Sequence, residues 1–180
     1  MIYYADAHCV IRDMQESDSA YFAAEEVAQG WVNATADKYI MRLTHARQGK
    51  CISLVAVLDG AAAGYVNVYP DCQWGAFGGM GYCEIVDFGV LAKYRNRGIG
   101  NKLMDVAEQI AFTYTDKVYL GVGLHSGYGA AQRLYVKRGY IPDGSGVWYG
   151  ERVCEPYTDC RNDDGLILYL IKEKAYNEST

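Results

Sequence analysis

Residues 83–124 restrict the fold more than any other stretch. They open with CEIVDFGVL, a mostly apolar run of strand length, and turn through AKYRNRGIG. They continue as NKLMDVAEQIAFTYTD and end in KVYLGVGL. In the third piece Leu103, Val106, Ala107, Ile110 and Tyr114 recur at helical spacing and predict one apolar helix face. Strand, turn, helix and strand in this order form a β-α-β crossover, which joins parallel neighbours in a sheet. The other strand-like runs are separated by hairpins or loops, which predicts a sheet that is otherwise mostly antiparallel.

Those runs place the remaining elements. HCVIRDM reads as a short strand. SDSAYFAAEEVAQGW reads as a helix with Ser17 or Ser19 as its N-cap and Glu25 and Glu26 on its polar face. TADKYIMRLTHARQG is a second helix, with Tyr39, Ile40, Leu43 and Ala46 in one stripe and Gly49 just past its end. CISLVAVLDGAAAGYVNVYP gives two strands joined at Asp59-Gly60. DCQWGAFGGMGY is a glycine-rich loop expected to leave Trp74 and Phe77 exposed. GAAQRLYVKRGY is a short helix with Ala131, Leu134 and Tyr135 on one side and Gly139 at its C-terminal cap. SGVWYGERV and GLILYLIKE close the sheet around an acidic loop. The order β, α, α, β, β, β, α, β, α, β, β predicts a single mixed α/β domain over residues 1–180.

The chain is 51% hydrophobic and 22% charged, enough apolar material for a true core. A net charge of −5 argues against a partner gripped along a nucleic-acid backbone, which needs a clustered basic face. No apolar run is long enough to cross a bilayer, and the first residues lack the layout of a signal peptide, so the cytoplasm is the expected location. The six cysteines form no C-x-x-C pair and the three histidines are scattered. Free cysteines packed as small hydrophobes are expected, and no metal site. A homodimer is left open.

Against that acidic background the turn YRNRGIG stands out. Unpaired N–H groups at a helix N-terminus, together with the helix dipole, favour an anion. Gly98 and Gly100 would let a phosphate approach the main chain, and Arg95 and Arg97 add charge. The turn lacks the G-x-x-x-x-G-K-S/T pattern of a nucleotide loop. GVGLHSG at 121–127 has Ser126 where a dinucleotide fingerprint needs its third glycine.

R-x-x-G-x-G between a strand and an amphipathic helix resembles the pyrophosphate motif of the GNAT superfamily of N-acetyltransferases, with Arg95, Gly98 and Gly100 at its set positions. AQRLYVKRGY, from Ala131 to Tyr140, is similar to that family's second motif, A-x-x-L-Y-x-x-x-G-F/Y. The order of elements from Ile11 to Ile171 fits as well. The resemblance implies a sheet of six to seven strands, splayed between its fourth and fifth, with about four helices.

It also implies acetyl-coenzyme A as cofactor. The pyrophosphate would lie on the main chain of Arg95, Asn96, Arg97, Gly98, Ile99, Gly100 and Asn101, and the pantetheine arm along Phe88, Gly89 and Val90. Where the family often has an asparagine, three residues before the alanine of the second motif, this chain has Tyr128.

Acetyl transfer to an amine needs a base for the ammonium and an acid for the departing thiolate. Glu84 and Asp87 are carboxylates in an apolar strand. Alternation puts them on opposite faces unless a bulge intervenes. Glu84 stands in the register of the family's general-base glutamate, with Asp87 as the other candidate base or ammonium ligand. Gly123 occupies the position from which some members supply a base, and cannot serve. Tyr135 occupies the family's general-acid position. His125, at the end of a strand, is a candidate for substrate binding. The acceptor is a small polyamine-like or aminoglycoside-like molecule, an amino acid, or a protein lysine or N-terminus. A coenzyme A-binding sensor without turnover is the other class the sequence admits.

Overall fold

The computed structural model describes residues 1–31 and 34–175. It has nine strands: β1 (Ile2–Ala5), β2 (Cys9–Asp13), β3 (Ile52–Leu58), β4 (Ala61–Tyr69), β5 (Cys83–Val90), β6 (Lys117–Gly123), β7 (Ile141–Tyr149), β8 (Arg152–Val153) and β9 (Leu166–Glu173). The four helices are α1 (Glu16–Ala28), α2 (Asp37–Arg47), α3 (Ile99–Tyr114) and α4 (Gly129–Lys137). The two strands beyond the expected seven are the short β1 and β8. The chain forms two compact units, Met1–Tyr69 with Ile85–Thr113, and Pro70–Glu84 with Tyr114–Thr180. Among the described residues no helix is long and apolar enough to cross a membrane.

In the first unit the strands run in the order β1-β2-β3-β4-β5. The β3–β4 hairpin turns at Asp59 and Gly60, both left-handed with φ of 49° and 85°, as a two-residue turn between twisted strands requires. Helices α1 and α2 contribute Phe22, Tyr39 and Leu43 to a core shared with Val55, Tyr65 and Leu91. Helix α3 buries Leu103, Val106 and Ala107 as its periodicity predicts, but Tyr114, in its last turn, is exposed.

The N-cap of α1 is Gln15 rather than either serine. The Asp18 carboxylate accepts the Gln15 N–H at 2.7 Å and is itself held by Arg12 at 2.7 and 3.0 Å, so the acid three residues in does the capping. On α2 the stripe is narrower than expected. Tyr39 and Leu43 are buried, and Ile40 faces outward.

Glu26 departs most from expectation. Far from lying on a polar face, it is 1% exposed. The Tyr65 hydroxyl donates to its carboxylate at 2.5 Å, and the Lys38 ammonium, reaching across from α2, lies 3.1 Å away. Lys38 also sits over the rings of Tyr39 and Tyr65 at 4.8 and 5.2 Å. A buried carboxylate needs such partners, and one tyrosine hydroxyl and one ammonium supply them.

In the second unit β9 lies between β6 and β7, antiparallel to both, and β8 pairs with the end of β7. Cys83 and Glu84 run parallel to Val118 and Tyr119, the parallel ladder that the crossover demands. In the glycine-rich loop Phe77 is not left exposed but packs on Tyr119 at 4.9 Å, while Trp74 stays partly open.

Replacing Lys38 with Met should destabilise the protein by about 1–3 kcal/mol, below the cost of breaking a fully buried pair because Lys38 is half-exposed. Adding Glu26→Met should recover most of that loss. Thermal or urea unfolding of the three variants checks this, and a Lys38→Met protein as stable as wild type would show the pair to be idle.

Candidate active site

The candidate residues divide between the two units. Asp87, Phe88, Gly89, Val90 and the turn from Arg95 to Asn101 belong to the first. Glu84, His125 and Tyr135 belong to the second.

In the first unit, β5 leads through a short 3-10 turn, Ala92–Tyr94, into α3. Asn96 and Gly98 are both left-handed, with φ of 61° and 78°. Left-handed residues alternating with others turn successive N–H groups to one side, and the first turn of α3 adds N–H groups that have no carbonyl inside the helix. A Cβ built on Gly98 would meet no atom within 4 Å, so that side of the turn is open. Gly100 differs: a Cβ there would lie 3.2 Å from the tip of the Phe88 ring. Arg95 turns back to donate from Nε to the Val90 carbonyl at 3.2 Å, bracing the turn against the strand. Arg97 lies over the Tyr94 ring and is exposed.

Asp87 is left-handed in mid-strand, with φ of 52°. The strict alternation read from sequence therefore fails at this residue. Its carboxylate receives the Nε–H of Arg42 at 2.6 Å, and Arg42 Nη1 donates to the Tyr69 hydroxyl at 2.6 Å. Burial depresses the Arg42 pKa, and the charge and hydrogen bond of Asp87 more than compensate, so its pKa ends above the ordinary value. The structure thus commits Asp87 to an arginine that sequence patterning does not single out. An arginine five residues before the end of an amphipathic helix carries no signal of that pairing.

In the second unit Glu84 is buried, and the Cys72 thiol donates to its Oε2 at 2.8 Å. Burial and the nearby Glu84 charge push the Cys72 thiol up to about 12 and the Tyr169 phenol likewise to about 12. Tyr119 is raised further by the same two causes, and its hydroxyl donates to the Trp74 carbonyl at 3.1 Å. Glu84 therefore sits among groups that keep their protons at neutral pH. By sequence alone Cys72 is one of several buried thiols, and its role as a donor to Glu84 is not legible from spacing.

Tyr135 is buried on the inner side of α4, edge-on to Tyr140 at 5.9 Å. Its phenol is held above its ordinary pKa, chiefly by burial and then by Tyr128. His125 has both ring nitrogens engaged: Nδ1 accepts the Gly127 N–H at 3.1 Å, so Nε2 carries the hydrogen and donates to Asp164 at 2.9 Å. Tyr128 donates to the same Asp164 oxygen at 2.9 Å. Asp164 is held below its ordinary pKa by His125 first and Tyr128 second. His125 thus joins the end of β6 to the acidic loop.

The sequence matches the profile of a family described as acetyltransferase (GNAT) family over residues 11–140. No curated protein matches it significantly. Among solved structures, Ard1 from Thermoplasma volcanium has a TM-score of 0.67 at 15% identity, over 94% of this chain and 100% of that one. The structure of yncA from Salmonella typhimurium, with its cofactor acetyl-CoA, scores 0.65 at 16% identity over 96% and 97%. PH1933 from Pyrococcus horikoshii OT3 scores 0.64 at 22% identity over 93% and 99%. At these identities the structural likeness speaks for the fold.

A Cβ at Gly123 would lie 2.3 Å from the Tyr128 ring. Gly123→Ala should therefore cost about 1–3 kcal/mol through overpacking, and Tyr128→Ala should relieve most of that cost in the double variant. Denaturant midpoints of the four proteins decide it. A Gly123→Ala loss unchanged by Tyr128→Ala would show that the ring is not what the glycine accommodates.

Proposed function

We propose that this chain, which belongs to the GNAT family of acetyltransferases and uses acetyl-coenzyme A, acetylates a primary amine of a small molecule or protein with Glu84 as base and Tyr135 as acid. The observation that carries the cofactor part is the turn at 95–101. It places two left-handed residues, one of them an open glycine, just before a sixteen-residue helix, a cradle that suits a pyrophosphate. Asn96 to Asn101 would hold that group by main-chain N–H groups, with Arg97 adding charge. Phe88, Gly89 and Val90 would pair with the amide-bearing arm. When bound, acetyl-coenzyme A supplies an acetyl group activated as a thioester.

The residues of the chain supply the proton movements. An acceptor amine arrives as an ammonium and must lose a proton before it can attack. Glu84 is suited to take it, because the donors around its carboxylate stay protonated at neutral pH and do not compete as bases. Tyr135 is suited to give a proton to the departing sulfur, since its raised pKa keeps the hydroxyl protonated throughout the neutral range. Asp87 is a weaker candidate base because Arg42 already engages it. His125 is a weaker relay because neither ring nitrogen is spare. With six cysteines and no disulfide among them, the reducing cytoplasm is the compartment proposed for the reaction.

Glu84→Gln should slow thiol release from acetyl-coenzyme A in the presence of an amine panel while leaving coenzyme A affinity nearly intact. The deficit should shrink as pH rises toward the amine's own pKa, because the free amine needs no base. A larger pH-dependent loss in Asp87→Asn, with Glu84→Gln close to wild type, would reverse the assignment.

Tyr135→Phe keeps the ring and its packing and deletes the proton donor. Turnover should fall by about a hundredfold or more with stability and coenzyme A affinity retained, and an acyl donor with a more acidic thiol should restore part of it. Full activity of Tyr135→Phe with acetyl-coenzyme A would make Tyr135 a packing residue only.

A further inference from the structure

We propose that Arg42 is a positioning residue for acetyl-coenzyme A, acting through the left-handed turn of β5 at Asp87. The proposal rests on the assignment of Phe88–Val90 to the cofactor arm made above. Asp87 is a side-chain-bearing residue held at φ 52° in the middle of a strand, where L residues rarely stay unless their surroundings compel it. Two side chains brace it. Arg42, from α2, places Nε 2.6 Å from Asp87 Oδ2. Buried Asn67, on β4, reaches the carbonyl of the preceding residue, Val86, at 3.4 Å and accepts the Ser53 hydroxyl at 2.5 Å.

Arg42 is itself aimed. Its Nη1 donates to Tyr69, whose hydroxyl is 2.7 Å from His45 Nδ1, and the Cys51 thiol donates to the Arg42 backbone carbonyl at 3.4 Å. The guanidinium is therefore set by α2, β4 and the start of β3 before it meets Asp87. A planar fork engaged on two sides has a definite orientation, which a lysine ammonium would lack.

The strand beyond Asp87 has no slack. The Gly89 α-carbon faces the Tyr65 ring so closely that a Cβ would lie 2.7 Å from it. The Gly89 carbonyl lies as close to Gly64, where a Cβ would approach it to 2.7 Å. The Phe88 ring tip reaches Gly100 in the first turn of α3. The direction in which the chain leaves Asp87 thus decides where the main chain of Phe88–Val90 lies and where Phe88 supports the phosphate-binding turn. Arg42 holds that direction from α2, whose Tyr39 and Lys38 also meet the Tyr65 ring that crowds Gly89.

The test uses the whole protein and a double-mutant cycle. Arg42→Met should raise KM for acetyl-coenzyme A by about tenfold and weaken coenzyme A binding in parallel, with kcat nearly kept, because a misplaced strand weakens bound and activated states alike. A merely structural loss would instead lower the amount of active protein and leave KM unchanged. Glycine adopts φ 52° freely and has no carboxylate to pair, so in an Asp87→Gly background the Arg42→Met substitution should change KM by less than about twofold. Arg42→Lys should fall between wild type and Arg42→Met, and it carries the comparison if Arg42→Met does not fold.

Unchanged KM and coenzyme A affinity in a folded Arg42 variant would overturn the proposal. So would an equal loss in both backgrounds, which would assign Arg42 to the acceptor instead. Calorimetry on the wild-type protein separates the two readings: no coenzyme A binding there overturns the cofactor site itself, and the role of Arg42 falls with it.

Discussion

A left-handed aspartate in the middle of a strand is the constraint around which the first unit is arranged. For a residue with a Cβ that conformation costs about 1–2 kcal/mol. Glycine would remove the cost, and with it the carboxylate. Here the carboxylate is what ties α2 to β5 through Arg42, so strain and tether come together. The pair is partly buried, where such an interaction adds little net stability over an apolar alternative but discriminates strongly against arrangements that leave one partner unpaired. That suits a segment whose exact course matters more than its stability. In the same unit Gly64, Gly89 and Gly100 are each crowded by protein atoms, whereas Gly98 is crowded by none. Three glycines serve the fit of the protein to itself, and the fourth faces outward with its N–H group beside a helix terminus.

Three acidic side chains in apolar surroundings take three different settings. Asp87 has a guanidinium. Glu26 has an ammonium and a phenol hydroxyl. Glu84 has a thiol donor and a set of hydroxyl groups whose own ionisation its charge suppresses. The first two are held by cations, a good way to stabilise a buried charge and a poor way to leave it reactive. Glu84 instead accepts from a neutral thiol, a setting that supports its proposed role as base.

Much of the framework was legible in the chain because it depends on local periodicity. The crossover at 83–124, the hairpin at Asp59-Gly60, the apolar face of α3 and the caps of the short helices all depend on residues within a few positions of one another. What could not be read depended on distant partners. Glu26 looks like a surface residue until Tyr65 and Lys38 are brought to it. Arg42 looks like a solvated helix residue until Asp87 turns toward it. Ile40 and Tyr114 fit an ideal helical stripe, yet one lies at the margin of the α2 face and the other in the last turn of α3, where the covering layer ends. The site followed the same rule. The turn at 95–101 is a contiguous stretch and its left-handed glycine lies within the motif, whereas the groups around Glu84 come from separate stretches of chain, the donor Cys72 before it and Tyr119 and Tyr169 well after it.

The departures from the family pattern near the end of β6 explain one another. Gly123 removes the side chain from which some members supply a base, and the Tyr128 ring fills the space that side chain would take. The Tyr128 hydroxyl then joins His125 on Asp164, drawing the acidic loop onto the strand end. The glycine makes room for the ring, and the ring's hydroxyl helps to fasten the loop. Gly123 has no side chain, His125 is engaged at both nitrogens, and Cys72, Tyr119, Tyr135 and Tyr169 are all held protonated, which supports the proposal of Glu84 as the base. Under that proposal the thiol and phenol groups around the carboxylate add no titration of their own across the neutral range.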